Sequence, residues 1–556
     1  MKMPFARNLF LSLLLFQLTP EEGVAQQDTT RRQTIEITSA YRPVVRRSAK
    51  INLTASQLKA DTGKNLRPYE IPAQGLYYSY RAVILKPLAL DKESGPETGD
   101  RNFVKAGFGS YNTPLLRAGI GIGDARDYLF NFYADHMSSK GDLENQQQSL
   151  SGLKAAGSYF RGDHEFYGSL DWRNDNYRLY GYDRSKASFG RDEVLHAYRD
   201  LKLTGGLRNQ TANDLDITYN PEFSITRLAV KDKVRENSFL LNLPLQRIMS
   251  EKLLLRVAAG LDISNFAAIE PHVDSAYDIK NNIFSFKPSA EYNSDIFRIN
   301  FGLQPTWDNG AFVLLPDVKI EAKLLDKFRL LAGWRGGIVK NSFRNLSAIN
   351  PFMDSLPIPA KLENLNTREV EFFAGIKGEI GKHFSFTGKA GWISYRNIAL
   401  FVNDQRPDSI GKGFSIEQED DANNFRVEGQ LSYIVQDRFT ANASLILNAY
   451  SGFKDKAWHT LPLELSASAR WKPWKKLNVK SDLYMFNAGS YKSKENSGSA
   501  RNLKGGVDLT IGAQYNFNST FSAWLDVNNL FNSKYERWHA FPVLGTGLLA
   551  GMLVRF

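Results

Sequence analysis

The sequence predicts an all-β protein, a closed transmembrane antiparallel β-barrel of about 22 strands, on three observations. Apolar and polar residues alternate with period two, not with the 3.6-residue period of helices. The alternating runs are long, commonly ten or more residues, where soluble strands are usually about five or six. Tight polar turns alternate along the chain with longer connections, the pattern of short inner turns and long outer loops.

Composition agrees. The chain has 556 residues, no cysteine, 36 Phe, 24 Tyr, 9 Trp and a mean hydropathy of -0.36. That hydropathy is too low for a bundle of membrane helices, and no run of eighteen apolar residues follows residue 25. The absence of cysteine excludes disulfides, thiolate metal sites, cysteine nucleophiles and an N-terminal lipidated cysteine. The net charge of +11 comes from 70 basic and 59 acidic residues spread along the chain. Such spreading reads as charged surface, and no nucleic-acid partner is expected.

Residues 1–25 read as a secretory signal peptide. Lys2 and Arg7 make the positive start, NLFLSLLLFQL (Asn8 to Leu18) the apolar core, and Gly23-Val24-Ala25 the small residues at the cleavage positions. Residues 26–100 read as a basic, Pro-punctuated extended arm. Its first part, 26–60, carries seven Lys or Arg, including Arg42, Arg46 and Arg47, against Asp28 and Glu36. Such an arm is expected either inside the lumen or docked on a periplasmic partner; a solvated tail is the alternative. In the lumen, Arg42, Arg46 and Arg47 would pair with inward carboxylates such as Glu371 and Glu428.

Residues 101–556 read as the barrel. In Val507 to Phe517 the residues Val507, Leu509, Ile511, Ala513, Tyr515 and Phe517 share one face, and Asp508, Thr510, Gly512, Gln514 and Asn516 share the other. Phe425, Val427, Leu431, Tyr433 and Val435 repeat this against Arg426, Glu428, Gln430 and Ser432. Val370, Phe372, Ala374 and Ile376 repeat it against Glu371, Lys377 and Glu379, with Phe373 as an exception. Apolar faces end in aromatics near the turns, as in the girdles of outer-membrane barrels. Only helices and closed barrels satisfy their backbone hydrogen bonds in lipid. Short turns fall at Asp124–Asp127, Arg161–His164, Asn209–Asp214, Ser250–Lys252, Asn293–Asp295, Leu325–Lys327, Gly381–His383, Gln436–Arg438, Pro473–Lys476 and Asn518–Thr520. Longer connections fall at 177–193, 265–280, 343–364, 403–413 and 487–500. In the final strand Leu548, Ala550, Met552, Val554 and Phe556 share a face opposite Gly545, Gly547, Gly551 and Arg555.

The segment Val527-Asn528-Asn529-Leu530-Phe531-Asn532-Ser533-Lys534-Tyr535 resembles the V-x-N-L-F-(N/D)-x-x-Y segment near the end of TonB-dependent receptor barrels. That resemblance, covering 101–556, implies an outer-membrane barrel of 22 strands in a Gram-negative bacterium, delivered by the outer-membrane insertion machinery. The terminal Phe556 is similar to the signal that machinery reads. Ile35 to Pro43 resembles the strand that opens the family's plug, which implies that 26–100 is either an extended arm or a plug remnant. The family's plug exceeds a hundred residues, however, and only 75 precede the barrel after residue 25. A plug-less, receptor-like barrel is therefore expected, with energised coupling in question.

Chemistry is sparse. The histidines His136, His164, His196, His272, His383, His459 and His539 are far apart, show no ligand spacing, and mostly fall where solvated loops are expected. No nucleophile elbow, P-loop or dinucleotide fingerprint occurs in a suitable context. Glu417, Glu419, Asp420 and Asp421 could approach a divalent cation, but they lack the spaced glycine of a calcium loop, which favours a solvated face. Arg161-Gly162-Asp163 matches an adhesion tripeptide but falls in an inner turn. No catalytic residue, metal site or cofactor is expected, and the protein is not read as an enzyme. Tyr177, Tyr180 and Tyr182, with Arg178, Arg184 and Arg191, crowd one outer loop. They suit a binding surface; packing over the barrel mouth would use the same residues. Two functions remain: a barrel passing or binding a solute, and a structural subunit of an outer-membrane assembly or secretion complex. The partners expected are outer-membrane lipid and a surface lipoprotein or other envelope proteins.

Overall fold

The computed structural model describes residues 102–556 except 124–125, 231–233, 270–275, 355–364, 404–412, 436–437 and 494–498. The expected signal peptide and arm, with Arg42, Arg46 and Arg47, lie outside the described residues.

One antiparallel sheet runs from Phe103–Gly109 through consecutive neighbours to Gly547–Arg555, and these two strands pair with each other, Phe103 opposite Arg555 and Gly109 opposite Leu549. The closed barrel has 22 strands. The sheet contains 23 segments because one strand is broken into Ile217–Tyr219 and Glu222–Val230. Pro221 sits in the break, where its missing N–H cannot serve the ladder, and both segments pair with Val234–Ile248. Closure matters because an open edge in lipid would leave a row of N–H and C=O groups without partners.

All ten short turns separate strands as expected, for example Arg161/His164, Leu325/Phe328 and Asn516/Phe521. Gly162 (φ 57°) and Gly381 (φ 67°) supply left-handed positions in two of them. The tripeptide Arg161-Gly162-Asp163 thus belongs to an inner turn, with the Asp163 carbonyl accepting from the Gln210 amide at 2.7 Å. One long connection is corrected. The segment 265–280 is mostly strand, since Leu253–Ile269 and Ala276–Asn293 pair as far as Ile269 with Ala276. Its alternation, Phe266 and Ala268 buried against an exposed Ile263, continues the barrel beyond where polar residues suggested a loop.

The two faces separate as the patterns require. Ile511, Tyr515, Phe425, Leu431, Tyr433 and Phe372 are exposed on the outside, while Thr510, Asp508, Glu371 and Glu428 are buried on the lumen side. Phe373, the exception in its strand, points inward. Its ring is capped by two cations, the Arg335 guanidinium at 5.4 Å and the Lys389 ammonium at 4.9 Å from the centroid. An aromatic face offers negative charge to such cations, which explains an aromatic in a polar lane. The lumen is not uniformly polar, however. Leu549 and Leu553 from the last strand point inward and join Phe103, Leu115, Met137 and Trp524 in an apolar cluster behind the closing seam.

Replacing Ile511 by Arg is expected to destabilise the inserted barrel by about 2–4 kcal/mol, and Gln514→Arg, on the lumen face of the same strand, by far less. Urea titration of unfolding in lipid vesicles checks this. Equal losses would contradict the assigned register.

Candidate functional site

Below the mouth, the lumen wall is crossed by ion pairs. On four successive strands, Phe328–Val339, Thr367–Ile380, Phe384–Arg396 and Ala422–Val435, the charges alternate. Arg335 meets Glu371 at 3.1 Å, Lys389 bridges Glu371 at 2.7 Å and Glu428 at 3.4 Å, and Arg426 reaches Glu428 at 3.7 Å. Arg335 and Glu371 are direct cross-strand partners, as are Lys389 and Glu428. Such pairs fix register and orient side chains, each contributing about 0–1 kcal/mol where solvent reaches them. Further round the wall, Arg470 grips Asp482 through two bonds of 2.9 and 3.1 Å, and Lys480 meets Asp526 at 3.1 Å. Glu371 and Glu428, expected to receive the arm's arginines, are therefore already held by three cations of the wall itself.

The outer mouth is built differently. The described residues of the connections 179–194, 340–354, 365–366, 397–403, 413–421 and 529–546 contribute to one shared apolar core. Phe352 stacks on Phe541 at 3.8 Å, and Tyr180 meets their edges at 5.5 and 4.9 Å. These three rings come from loops spaced roughly a third of the circumference apart. They can meet only by crossing the opening. The same core takes in Leu228, Val230, Phe266 and Ile279 from the inner face of the wall, so it sits within the rim.

A short helix, Phe343–Ile349, anchors one loop. Ser342 caps it, accepting from the Asn345 amide at 3.2 Å. The Glu236 carboxylate, on the wall strand Val234–Ile248, accepts from the Phe343 amide at 2.7 Å. Arg344 binds Asp200 through two nitrogens, the shortest contact being 2.7 Å. Two separate strands thus hold the helix across the mouth.

The structure places the tyrosines of the first loop inside this core. Tyr180 is fully buried and Tyr182 nearly so, while Tyr177 packs against the cluster from its edge. The Tyr180 hydroxyl donates to the Pro542 carbonyl at 3.0 Å, and the Tyr182 hydroxyl accepts from the Asn145 amide at 2.9 Å. Burial pushes the Tyr180 hydroxyl pKa up, so it stays a neutral donor. In the described structure Tyr180 and Tyr182 pack within the loop core, with Tyr177 partly buried at its edge.

The Val527–Tyr535 segment is a folding device of the same mouth. Asn529 takes a positive φ of 46° that asparagine tolerates. Its amide group donates to the Ser533 and Leu544 carbonyls at 3.0 and 2.8 Å and its oxygen accepts from the Ser533 amide at 3.0 Å. Asn532 Oδ1 accepts from the Thr546 amide at 3.1 Å, and the Tyr535 hydroxyl donates to Asp508 at 3.0 Å. Every polar position of the motif thus ties the last loop down, while Leu530 and Phe531 stay exposed.

Reading histidines as solvated loop residues fails at His459, which is 2% exposed. Its Nδ1 lies 2.8 Å from the Phe401 carbonyl, and a carbonyl can only accept, so Nδ1 carries the proton. Nε2 has no hydrogen-bond partner, and the imidazole packs against the rings of Phe414 and Trp538, centroid to centroid at 5.2 and 5.6 Å. A second proton would enter an apolar cage, and burial lowers the pKa from 6.5 to about 3. His196 is equally buried. Contacts between segments distant in sequence create the cage around His459, so no local signal announced it.

The acidic cluster does not converge. Lys492 takes Glu417 at 3.0 Å, Glu419 is buried, and Asp421 faces Arg396 at 3.7 Å. Among the described residues, no group of three or more acidic or histidine side chains is placed to hold a metal ion.

No family model and no curated protein matches the sequence. Solved structures match the fold. The FrpB iron transporter from Neisseria meningitidis aligns with a TM-score of 0.62 at 12% identity, over 82% of this chain and 82% of that one. The pyoverdine outer membrane receptor FpvA from Pseudomonas aeruginosa gives 0.62 at 12%, over 83% and 79%. A mutant of the ferric enterobactin receptor PfeA from the same organism gives 0.61 at 10%, over 82% and 80%.

Two outcomes are expected. Phe541→Ala should cost the loop core about 3–5 kcal/mol, read as faster proteolysis within 529–546 while the barrel keeps its heat-shifted gel mobility. The core should also weaken with acid. Above about pH 6.5 His459 is neutral whether the loops are packed or open. Between there and about pH 3 the open loop binds a proton that the packed one refuses, so stability falls as pH falls. Protease sensitivity measured from pH 7 to 4 should rise in the natural chain and stay flatter in His459→Asn, which keeps a donor for the Phe401 carbonyl. Identical profiles would contradict the assignment.

Proposed function

We propose that this outer-membrane barrel, which shares its fold with TonB-dependent siderophore receptors, handles a solute in its polar lumen and is shut at rest by its own outer loops. The observation that carries the reading is the Tyr180–Phe352–Phe541 ring cluster across the mouth, set above a wall of paired charges. An apolar seal over a polar lumen suits a gated passage or a binding chamber and is foreign to a permanently open pore. The solute enters when the loops part. Residues 26–100 form part of this proposal as an element lying in or across the lumen. To reach Glu371 or Glu428, Arg42, Arg46 or Arg47 must displace Arg335, Lys389 or Arg426. The relatives in structure include receptors whose ligands are pyoverdine and ferric enterobactin; an iron chelate is the first solute class to try here.

A structural role in an outer-membrane assembly, alone or with a surface lipoprotein, is the second reading. The observation favouring it is that four outer loops are fused into one packed platform. Affinity purification from native membranes under mild detergent separates the two: a stoichiometric protein complex supports the platform, an isolated barrel supports solute handling.

Conductance in planar bilayers tests the seal. The full mature chain, and a chain starting at Arg101, should both show no large steady current. Phe352→Asp/Phe541→Asp in the shortened chain should open one. Large steady currents from the unaltered full-length protein would overturn the proposal. Currents from the shortened but otherwise natural chain would assign the closure to residues 26–100 instead of the loops.

A further inference from the structure

The outer wall carries a shallow depression that neither the seal nor the lumen explains. On the lipid side of the strands that hold the charge ladder, four aromatics are successive cross-strand partners: Trp334 opposite Phe372, Phe372 opposite Trp392, and Trp392 opposite Phe425. Trp334 and Phe372 stack at 5.3 Å and 9°. One row further in, Ala332, Ala374 and Ala390 face one another. Beyond them lies Gly388, opposite Gly429, each with open space where a side chain would stand. The aromatic row and the alanine row together line a shallow depression of about 480 Å³ on the lipid side of the wall.

The other side of the aromatic row is polar. The Trp392 indole N–H and the Ser394 hydroxyl both donate to Asn423 Oδ1, at 3.3 and 3.0 Å. An indole with its N–H turned to polar groups marks the membrane–water boundary. Further toward the outer end, Arg368 and Arg396 are direct cross-strand partners on this same face. Arg368 lies four residue steps from Phe372, about 13 Å along a strand. Like charges directly opposite are unfavourable, and Asp421, at 3.7 Å from Arg396 and largely exposed, offsets only part of the pair.

We propose that this face is a seat for one phosphate-bearing membrane lipid, its phosphate between Arg368 and Arg396 and an acyl chain in the shallow depression lined by the aromatic and alanine rows. The vertical order of the residues matches the order of a lipid's parts: anion, polar linkage, interface, hydrocarbon. Charge complementarity selects a phosphate-bearing headgroup of net negative charge over a zwitterionic one, and the depression selects a lipid over a free phosphate ester. The occupant is drawn from the surrounding bilayer, so the site needs no gate.

Native mass spectrometry of the full chain in detergent tests this, with phosphatidylglycerol and phosphatidylcholine of identical acyl chains added in parallel. Phosphatidylglycerol should bind tighter by about tenfold, given two arginines at a membrane surface. Arg368→Gln/Arg396→Gln should bring it down to the phosphatidylcholine level. Gly388→Leu, which enters space already open, and Ala390→Phe should weaken both lipids; heat-shifted gel mobility shows which variants are folded. Equal binding of the two lipids, or an anionic preference that survives the double arginine change, overturns the proposal. So does full competition by glycerol phosphate, which would mean a headgroup contact without a seated chain.

Discussion

Everything in this molecule follows from the need to pair backbone hydrogen bonds inside a membrane. A sheet in hydrocarbon tolerates no edge, and the pairing of Phe103–Gly109 with Gly547–Arg555 removes the last one. Closing 22 strands makes a wide ring, and a wide ring encloses more lumen than side chains of the wall can fill. The structure answers with two devices. The wall carries cross-strand ion pairs whose charges satisfy each other, and the outer loops bring apolar side chains into the rim. The inward Phe373, capped by Arg335 and Lys389, shows the first device absorbing an aromatic. The inward Leu549 and Leu553 show the second principle reaching down the closing seam.

The loop core also explains why the chain spends polar residues where it does. Loops have many backbone groups and few partners, so packing them over a mouth requires side chains that replace a ladder. Asn529, Asn532 and Thr546 do this in the last loop, and Ser342, Glu236 and Asp200 do it around the short helix. Each ties a loop to itself or to the wall, and only then do Phe352, Phe541 and Tyr180 meet. His459 belongs to the same arrangement. It gives one proton to a carbonyl, keeps its other nitrogen bare among rings, and so makes the packing sensitive to acid.

Much of this was legible in the sequence because strands write their geometry in period two. The faces of Val507 to Phe517 and of Phe425 to Val435, and all ten inner turns, follow from alternation and turn residues alone. Alternation cannot say which loops meet. Tyr180 and Tyr182 read equally well as a display surface and as packing, because nothing local to 177–193 mentions Phe541 or Phe352. The same holds for His459, whose neighbours come from the loops around 401, 414 and 538. Glu371 and Glu428 were recognisable as inward carboxylates, but their partners depend on register across four strands, which the turns constrain only loosely. Where polar residues thin a strand without ending it, as between 265 and 280, the sequence also understates the strand's length.

The central claim is that loops from distant sectors of the wall meet over the mouth. The chain contains no cysteine, so two introduced thiols are the only ones present. The direct measurement is cross-linking of Phe352→Cys/Phe541→Cys by a short bifunctional thiol reagent in native membranes, followed by proteolysis and mass mapping. The account predicts a covalent link joining the peptide around 352 to the peptide around 541. Separate modification of both thiols with no link between them would show an open mouth and contradict it.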